Sequence, residues 1–442
     1  MVFGNFESIT AAACCVKVVL TSENAIAEIE RAIRVALAEC APAYIVVPQD
    51  VGVSPILGAV STGAHLREIR RAVSNPAEVE AAATAILNRL QSAARPVLLP
   101  SAITARLGLR EKLQQWIRAT QLPFALTPTN KGLLDESQPS YLGLYAGIQS
   151  TPQALQQQVE SADLVLDLGG QLNVHINTGF WTAQIPEQAH IHVYETWVQI
   201  GEQVYVDVAM ANLLDRLISL TSSWKAPATA SLPYEQMPIV GEPADPTSSA
   251  GFYPRLQRML KPGDILVVDS GSCEIPMFAM RLPAGVDLEA QVVWSSIGFA
   301  TPLTMGVALA EPDRRVILLT GDGAHQETMG AIATMGFHGV KPIVFVLNNG
   351  TYGCEYDLDQ GRYHYNEIAP IRYSQLPEVF GCPNWLSRQV KTIGELEDAL
   401  AEVESHPNRA AYLEVMIPAK ENVSFTDNVI DHIYKLKTPS GA

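Results

Sequence analysis

The stretch from Gly321 to Asn349, GDGAHQETMGAIATMGFHGVKPIVFVLNN, decides the fold class of this 442-residue chain. The segment Arg315–Gly321 runs into its start and Lys341–Leu347 lies near its end, and both have the length and apolar composition of buried strands. We predict that Ala331–Gly339, between them, lies on a helix. Strand, helix and strand in this order form a crossover, which returns the chain to the same edge of a parallel sheet.

The acidic turn GDG and the asparagine pair NN therefore meet beyond the carboxyl ends of two neighbouring strands, where open α/β sheets bind ligands. Asp322 brings a carboxylate and Asn349 brings an amide oxygen, which are ligands that Mg²⁺ prefers. Gly321 and Gly323 let the backbone approach a phosphate at the N-terminus of a helix. This pattern predicts a metal-bridged diphosphate, and the alternative interpretation is two unrelated turns.

Strands and helices alternate along the rest of the chain, so we predict an α/β protein with doubly wound parallel sheets. The first residues contain one strong helix and one buried strand, Ala43–Pro48, and form only part of such a unit. Other predicted strands are Arg95–Ser101, Pro123–Pro128, Ser161–Gly170, His190–Glu195, Asp264–Asp269, Ala290–Trp294 and Ala410–Ile417. The predicted boundaries are a partial unit at 1–60, a second unit at 76–222, a linker rich in Pro, Ala and Ser at 223–251, a third unit at 252–425 and a tail at 426–442.

The composition of the chain excludes some classes of binding partner and favours one cellular compartment. The net charge is −16, which argues against a nucleic-acid backbone or an anionic membrane as partner. No apolar run approaches the roughly 18–20 residues that span a bilayer, and the N-terminus lacks the features of a signal peptide. The six cysteines form no C-x-x-C pair, which favours reduced thiols in the cytoplasm.

The GDG and NN motifs at this spacing resemble the signature of thiamine-diphosphate-dependent enzymes. The chain is most similar to the pyruvate and indolepyruvate decarboxylase family of 2-oxo acid decarboxylases. The resemblance runs in order through PVLLP (96–100), TPTNKGLLDESQPSYLGLYAG (127–147), ESADLVLDLGG (160–170), VVWSSIGFATPLTMGVALA (292–310), YNEI (365–368) and LEVMIP (413–418). It implies thiamine diphosphate and Mg²⁺ as cofactors and a small 2-oxo acid as substrate.

The resemblance also implies roles for individual residues. Asp322 and Asn349 match the side-chain metal ligands of the family, and the carbonyl of Thr351 matches the third protein ligand. Ser295 matches the residue whose carbonyl accepts from the aminopyrimidine, and Ile297 matches the bulky residue that bends the cofactor. The other implied cofactor contacts are Ser270 and Ser272, whose hydroxyls face the diphosphate, and Gly321, Gly323, Ala324, Tyr352 and Gly353.

Glu355 matches the active-site glutamate of the family, which assists the release of carbon dioxide and then moves a proton. Without the resemblance, we would interpret Glu355 as a solvated acid at the start of a helix. The cofactor itself carries the difficult chemistry, and the protein supplies orientation and electrostatics. The implied reaction is non-oxidative decarboxylation of a 2-oxo acid, of the pyruvate or indolepyruvate type, to an aldehyde and carbon dioxide.

The resemblance implies that the family's activating glutamate and substrate-facing His-His pair would precede Met1, and no His-His occurs in the chain. We therefore expect residues 1–60 to be a remnant of the pyrimidine-binding domain and turnover by this form to be impaired. The family forms homodimers or homotetramers, which we expect here if that domain is supplied. Alternatives are another thiamine-diphosphate enzyme, of the acetolactate-synthase or benzoylformate-decarboxylase type, or a non-catalytic cofactor-binding remnant or partner.

Some residues depart from the family pattern or lie outside it. Gly353 and Cys354 stand where relatives carry a threonine and a branched aliphatic residue, and CEIPMF (273–278) replaces a small apolar run, which makes Glu274 a candidate for specificity. His325, just after GDG, has two interpretations, a phosphate contact or a packing histidine. Three histidines of the second unit show no ligand spacing and are interpreted as structural: His175, His190 and His192.

Overall fold

A computed structural model describes residues 4–56, 73–228, 232, 236–359 and 361–419 of the chain. Within these residues, the chain forms three successive α/β units, each with its own sheet. Residues 1–3 and 57–60 of the predicted first unit, residues 420–425 of the predicted third unit and the whole predicted tail at 426–442 lie outside the described residues. None of the described helices is both long and apolar enough to cross a membrane.

The first unit is a small two-stranded parallel sheet with helices around it. Its elements are α1 (Asn5–Ala11), β1 (Val16–Val19), α2 (Ala25–Glu39), β2 (Ala43–Val46) and α3 (Gln49–Gly52). The predicted strand at Ala43–Pro48 is present as β2. It is only partly buried, however, and it pairs with β1, which the sequence did not predict. The four residues of β1 alternate between buried valines and exposed positions, so no continuous apolar run marked the strand.

The second unit contains a seven-stranded sheet in the order β5-β4-β3-β6-β7-β8-β9. Its strands are β3 (Pro96–Pro100), β4 (Phe124–Leu126), β5 (Tyr141–Leu144), β6 (Leu164–Leu168), β7 (His190–Val193), β8 (Val198–Ile200) and β9 (Gln203–Tyr205). Its helices are α4 (Pro76–Ser92), α5 (Ala102–Arg106), α6 (Arg110–Thr120), α7 (Ala154–Glu160) and α8 (Met210–Leu220). The strands β3, β4, β6 and β7 are parallel, as predicted, and β5, which was not predicted, pairs in parallel with β4. The strands β8 and β9 add an antiparallel edge. The turn that joins them uses Gly201 at a φ of 58°, which glycine adopts without strain.

The third unit contains a six-stranded parallel sheet in the order β11-β10-β12-β13-β15-β14. Its strands are β10 (Ile265–Val268), β11 (Asp287–Ala290), β12 (Val316–Gly321), β13 (Ile343–Asn348), β14 (Leu386–Val390) and β15 (Ala411–Met416). Its helices are α9 (Ser249–Met259), α10 (Ile275–Ala279), α11 (Ala300–Ala310), α12 (Asp322–Thr328), α13 (Ala331–Phe337), α14 (Gly353–Asp359), α15 (Leu376–Val379) and α16 (Ile393–Ser405). The helix α9 begins at Ser249, within the predicted linker.

Two strands of the third unit differ from the prediction. The strand predicted at Ala290–Trp294 ends at Ala290, and the residues after it turn toward the neighbouring loop, where the carbonyl of Gln291 accepts from the Ser270 hydroxyl at 3.1 Å. The edge strand β14 was not predicted. Its sequence, LSRQV, carries Arg388 and Gln389 on the exposed edge, and such polar edge residues hide the apolar pattern of a strand.

Both faces of the third sheet are covered by apolar side chains, as expected of a parallel sheet. On β13, Ile343, Phe345 and Leu347 pack into one cluster, whereas Val344 and Val346 pack into the cluster on the opposite face. This double burial holds the strands rigid. The loops at their carboxyl ends therefore project from a fixed support.

The second and third units are joined by a buried charged contact. Lys131 and Glu136 form an ion pair at 2.9 Å with almost no exposure to solvent. The Glu136 carboxylate also accepts from the backbone N–H of Leu282, in the third unit, at 3.1 Å. Arg281, beside it, donates to the Glu136 carbonyl at 2.6 Å. The loop around Glu136 is therefore tied to the third unit by several hydrogen bonds.

Candidate active site

The crossover predicted from GDG and NN is present. β12 and β13 are parallel neighbours, with Gly321 opposite Leu347, and α12 and α13 carry the chain between them. Asp322 begins α12 directly after β12, and Asn349 directly follows β13. The two side chains thus lie at the same edge of the sheet because parallel strands end on the same side.

Asp322 is buried, with 3% of the residue exposed. One carboxylate oxygen accepts from the N–H of Gly323 at 3.0 Å and the other from the N–H of Gly350 at 2.8 Å. Among the described residues, no lysine or arginine forms an ion pair with it. Burial raises the pKa of Asp322 to about 6, because the carboxylate is desolvated without a nearby positive charge. A cation at this position would relieve that cost.

The loop after β13 is held by the YNEI segment. The N–H of Ile368 donates to the Gly350 carbonyl at 3.0 Å, and the N–H of Tyr352 donates to the Asn366 carbonyl at 2.9 Å. Thr351, between them, has a buried hydroxyl oxygen without a hydrogen-bond partner. A buried hydroxyl left unpaired is unfavourable, so a ligand or water here would satisfy it.

Two glycines are required by close packing around this loop. A Cβ on Gly323 would lie 2.5 Å from the Tyr352 ring, and a Cβ on Gly353 would lie 2.4 Å from the Ser272 hydroxyl oxygen. Both distances are far below van der Waals contact. The glycine at position 353, which departs from the family pattern, therefore lets the loop lie against Ser272.

A buried aspartate that the sequence did not single out supports three loops of the site. Asp269 follows β10, and its carboxylate accepts from the N–H groups of Ser270 and Gly298 and from the Thr320 hydroxyl, at 2.9 to 3.2 Å. Burial raises its pKa to about 6. No local motif marks such a residue, because two of its three partners, Gly298 and Thr320, lie far from it in the sequence.

Ser295 and Ile297 lie on the loop that Asp269 anchors. Ser295 has a φ of 48°, in the left-handed region that non-glycine residues seldom adopt, so the surrounding contacts must hold this backbone in place. Ile297 is 41% exposed, an unusual exposure for a bulky apolar side chain in a loop beside a sheet. Its exposed surface faces a cavity.

All the site residues predicted from the sequence line this one cavity, whose volume is about 410 Å³. They are Ser270, Ser272, Ser295, Ile297, Gly321, Asp322, Gly323, Ala324, Asn349, Thr351, Tyr352, Gly353 and Glu355. The structure thereby brings them together, whereas the role of each remains a prediction. Glu355 lies in the first turn of α14 and is exposed.

The second unit also contributes to the cavity, which the sequence did not indicate. Gln149, His175, Ile176 and Phe180 line it from that side. The Gln149 amide oxygen is buried and has no hydrogen-bond partner. These residues lie far in sequence from the GDG and NN motifs, so only the packing of the two units could identify them.

The charge of the cavity wall fits a metal-bound diphosphate. Among the described residues that line it, none is lysine or arginine, while several are acidic. A diphosphate without a counter-cation would therefore be repelled. A hard divalent cation held by the oxygens of Asp322, Asn349 and Thr351 would neutralise it, and the serine hydroxyls and backbone N–H groups would complete its hydrogen bonds.

His325 does not contact the cavity. Its ring is fully buried between the Thr301 hydroxyl, at 2.9 Å from Nδ1, and the Tyr412 hydroxyl, at 2.8 Å from Nε2. Burial lowers the pKa of His325 to about 3, so the ring is neutral. It is a packing histidine, and the phosphate interpretation is wrong.

Glu274 is the most unusual group of the cavity wall. It is buried, and its Oε1 atom has no hydrogen-bond partner. Burial, with a further contribution from the charge of Asp269, raises the pKa of Glu274 to about 8. The side chain is therefore protonated at neutral pH, and its hydroxyl group is available as a hydrogen-bond donor to a ligand.

We expect Glu274→Gln to change how the stability of the protein without ligands depends on pH. The folded state retains the Glu274 proton between its ordinary pKa of 4.5 and about 8 while the unfolded state loses it, so stability falls as pH rises through this window. In this window, the titration of Glu274 lowers the free energy of unfolding by at most roughly 1.4 kcal/mol per pH unit. In thermal melts from pH 5 to pH 9, the variant should lose less stability than the parent. Glu311→Gln, at an exposed position, is the control, and parallel curves for Glu274→Gln and the parent would contradict the assignment.

Two family models match the chain. "Thiamine pyrophosphate enzyme, central domain" matches residues 83–219, and "Thiamine pyrophosphate enzyme, C-terminal TPP binding domain" matches residues 269–415. The second match contains the GDG and NN motifs and most of the cavity wall. These matches define the class of protein as a thiamine-diphosphate enzyme.

Similarity to individual proteins identifies the family within this class of enzymes. An alpha-keto-acid decarboxylase of Mycolicibacterium paratuberculosis is 30% identical over 427 residues, which cover 95% of this chain and 74% of that protein. Pyruvate decarboxylase isozyme 2 of Saccharomyces cerevisiae is 31% identical over 410 residues, which cover 89% of this chain and 71% of that protein. The chain belongs to the thiamine-diphosphate-dependent 2-oxo acid decarboxylase family.

Proposed function

We propose that the chain binds thiamine diphosphate with Mg²⁺ and takes part in the non-oxidative decarboxylation of a small 2-oxo acid, of the pyruvate or indolepyruvate type, to an aldehyde and carbon dioxide. The observation that carries this proposal is the cavity at the ends of β12 and β13. There, the Asp322 carboxylate and the Asn349 amide line one wall, and the described residues of that wall include no lysine or arginine. The names of the relatives support the substrate class.

In this proposal, Asp322, Asn349 and the Thr351 carbonyl hold the metal, and Ser270 and Ser272 hydrogen-bond the diphosphate. The remaining contacts to the cofactor come from the Ser295 carbonyl, Ile297, Gly321, Gly323, Ala324, Tyr352 and Gly353. When bound, thiamine diphosphate supplies an electron sink for cleavage of the bond to the carboxylate. The rigid strands β12 and β13 hold the diphosphate end in place.

Glu355 is the proposed proton-transfer residue. Its position in the first turn of α14 places a carboxylate on the cavity wall within a short distance of solvent, which suits exchange of a proton with water. Ile297 contributes shape, because its exposed apolar side chain projects from a loop that Asp269 fixes. Glu274 and His175 add polar groups that a substrate would meet.

Glu355→Gln should lower the rate of carbon dioxide release by about 100- to 10,000-fold, the usual contribution of a positioned proton donor or acceptor. The affinity for thiamine diphosphate and Mg²⁺ should remain close to that of the parent, because Glu355 is not among the proposed metal ligands. Release is measured with pyruvate and with indolepyruvate at stoichiometric protein, so that slow turnover is detected, and cofactor affinity is measured by calorimetry.

Glu367→Gln is the matched control, since this exposed glutamate lies on the neighbouring YNEI segment and does not line the cavity. It should retain parental rates. We expect weak or no turnover by this form, so robust release of carbon dioxide would contradict that expectation. Cofactor binding with no release from either acid would favour the non-catalytic cofactor-binding alternative. Formation of acetolactate instead of an aldehyde would indicate a thiamine-diphosphate enzyme of the acetolactate-synthase type.

We also propose that the chain acts in the cytoplasm, without nucleic acid or membrane as partner, and that it forms a homodimer or homotetramer when the pyrimidine-binding domain is supplied. None of the six cysteines, all of which lie in the described residues, forms a disulfide bond, which suits a reducing compartment. Trp294, beside the cavity, is 81% exposed, an exposure that contact with another polypeptide would reduce. Light scattering of the purified protein with and without cofactor tests the oligomeric state.

A further inference from the structure

Two neighbouring strands of the second unit bring three ligand-type side chains to one face of the sheet. β6 and β7 are parallel, with Asp167 opposite His192 and Val165 opposite His190. Side chains alternate between faces along a strand, so His190 and His192 share a face, and Asp167 shares it with them. This site is in the second unit, apart from the cavity described above.

The ligand atoms of these residues lie close enough for one metal ion. Each residue offers one such atom, and the three atoms lie within 4.8 Å of one another. Asp167 Oδ2 is 3.5 Å from His190 Nε2 and 4.0 Å from His192 Nδ1. Ligands around a tetrahedral zinc ion with bonds of about 2.1 Å are roughly 3.4 Å apart, so small side-chain movements are sufficient.

Two of these atoms have no hydrogen-bond partner although they are buried. They are Asp167 Oδ2 and His190 Nε2, and the residues are 2% and 6% exposed. Buried polar atoms are normally paired, and an unpaired carboxylate oxygen beside an unpaired ring nitrogen is costly. A metal ion between them would satisfy both atoms at once.

Neighbouring groups orient the three side chains as outer-shell partners do in metal sites. The other oxygen of Asp167, Oδ1, accepts from the N–H of Gly170 at 3.1 Å. The far nitrogen of His192, Nε2, is 3.6 Å from a carboxylate oxygen of Glu187. A carboxylate on the far nitrogen leaves Nδ1 of His192 free to face the metal, an arrangement common around zinc.

We propose that Asp167, His190 and His192 form a binding site for a divalent ion of the zinc type. Two imidazole nitrogens and one carboxylate oxygen suit Zn²⁺ and related transition ions better than Mg²⁺, which prefers oxygen ligands. Three protein ligands leave the fourth tetrahedral position to water, which reaches the site past the partly exposed ring of His192. The ion would link β6 to β7 next to the antiparallel edge of the sheet.

The rings of His190 and His192 lie side by side. Their centroids are 3.7 Å apart, so both rings border the same space beside Asp167. The sequence did not indicate this site because Asp167 lies on a different strand.

The test is titration of the full chain with Zn²⁺, and separately with Co²⁺, in the presence of saturating Mg²⁺ and thiamine diphosphate, which occupy the cavity. We expect one equivalent of Zn²⁺ to bind by calorimetry and Co²⁺ to give the visible absorption of a tetrahedral site. Asp167→Asn and His192→Gln should each weaken binding by more than the roughly 10- to 100-fold typical of losing an outer-shell partner.

His338→Gln, at an exposed histidine of the third unit, is the control and should bind as the parent does. Circular dichroism establishes that each variant is folded, and His192→Gln alters the most exposed of the three ligands, so it should retain the fold. The proposal is overturned if the parent binds no stoichiometric Zn²⁺. Unchanged affinity in folded Asp167→Asn and His192→Gln would also overturn it.

Discussion

Replacing Asp322 with alanine should abolish the metal-dependent binding of thiamine diphosphate. The cavity wall contains no lysine or arginine among its described residues, so in the proposed site a bound metal would supply the positive charge that a diphosphate needs. Asp322 is the only acid among the three proposed metal ligands. We expect the dissociation constant for thiamine diphosphate to rise by more than about 100-fold, which is more than the loss of an outer-shell partner of a metal site usually causes. Calorimetry with thiamine diphosphate at several Mg²⁺ concentrations measures it.

The variant should remain folded, because the buried carboxylate of Asp322 has no cationic partner in the described residues and its desolvation opposes folding. Its hydrogen bonds from Gly323 and Gly350 are lost, so Asp322→Asn, which retains an acceptor oxygen, is the second variant. Asp313→Ala, at an exposed turn before β12, is the matched control and should bind normally. Parental affinity in Asp322→Ala would refute the metal assignment.

Glu136→Ala should destabilise the protein by about 3–5 kcal/mol, the usual cost of breaking a buried ion pair on one side. The change leaves the Lys131 ammonium buried and unpaired, and it removes the acceptor for the N–H of Leu282. Burial already lowers the pKa of Lys131 against the opposing effect of Glu136, so the lysine would lose its proton more readily in the variant. Urea unfolding and thermal melts measure the loss.

The control for this prediction is Glu80→Ala, which removes one side of the exposed pair between Glu80 and Arg216. Solvent and salt screen that pair, so its loss should change stability only slightly. Glu136→Gln, which retains an oxygen for a backbone N–H, should fall between the parent and Glu136→Ala. Equal stability of Glu136→Ala and Glu80→Ala would show that the buried pair does not secure the contact between the units.

Local sequence patterns predicted most of the fold. Long apolar runs such as VILLTG and IVFVLN are buried on both faces, and burial on both faces is what makes a strand of a parallel sheet recognisable. The prediction missed β1, β5, β14 and the antiparallel strands β8 and β9, and it misplaced β11. These strands are short or partly exposed, so their apolar residues form no continuous run and tertiary pairing decides their structure.

The residues of the candidate site also differ in whether the sequence could predict them. Asp322 and Asn349 could be predicted because one crossover separates them, and a crossover has a defined length and direction. Asp269, Gln149 and His175 could not, because their partners or neighbours lie in other loops or in the other unit. Side chains that meet only through packing have no characteristic spacing along the sequence, so no sequence motif reveals them.

The sequence by itself determined the class of fold and the family, and it predicted that Asp322 and Asn349 lie at one edge of a sheet, because the GDG and NN motifs belong to one β-α-β unit. The tertiary structure alone decided three features: the protonated Glu274, the buried pair of Lys131 and Glu136, and the cluster of Asp167, His190 and His192. Each depends on burial and on distances between separate strands or loops. Desolvation and coordination act over a few ångströms in space, and the order of residues along the chain does not record those distances.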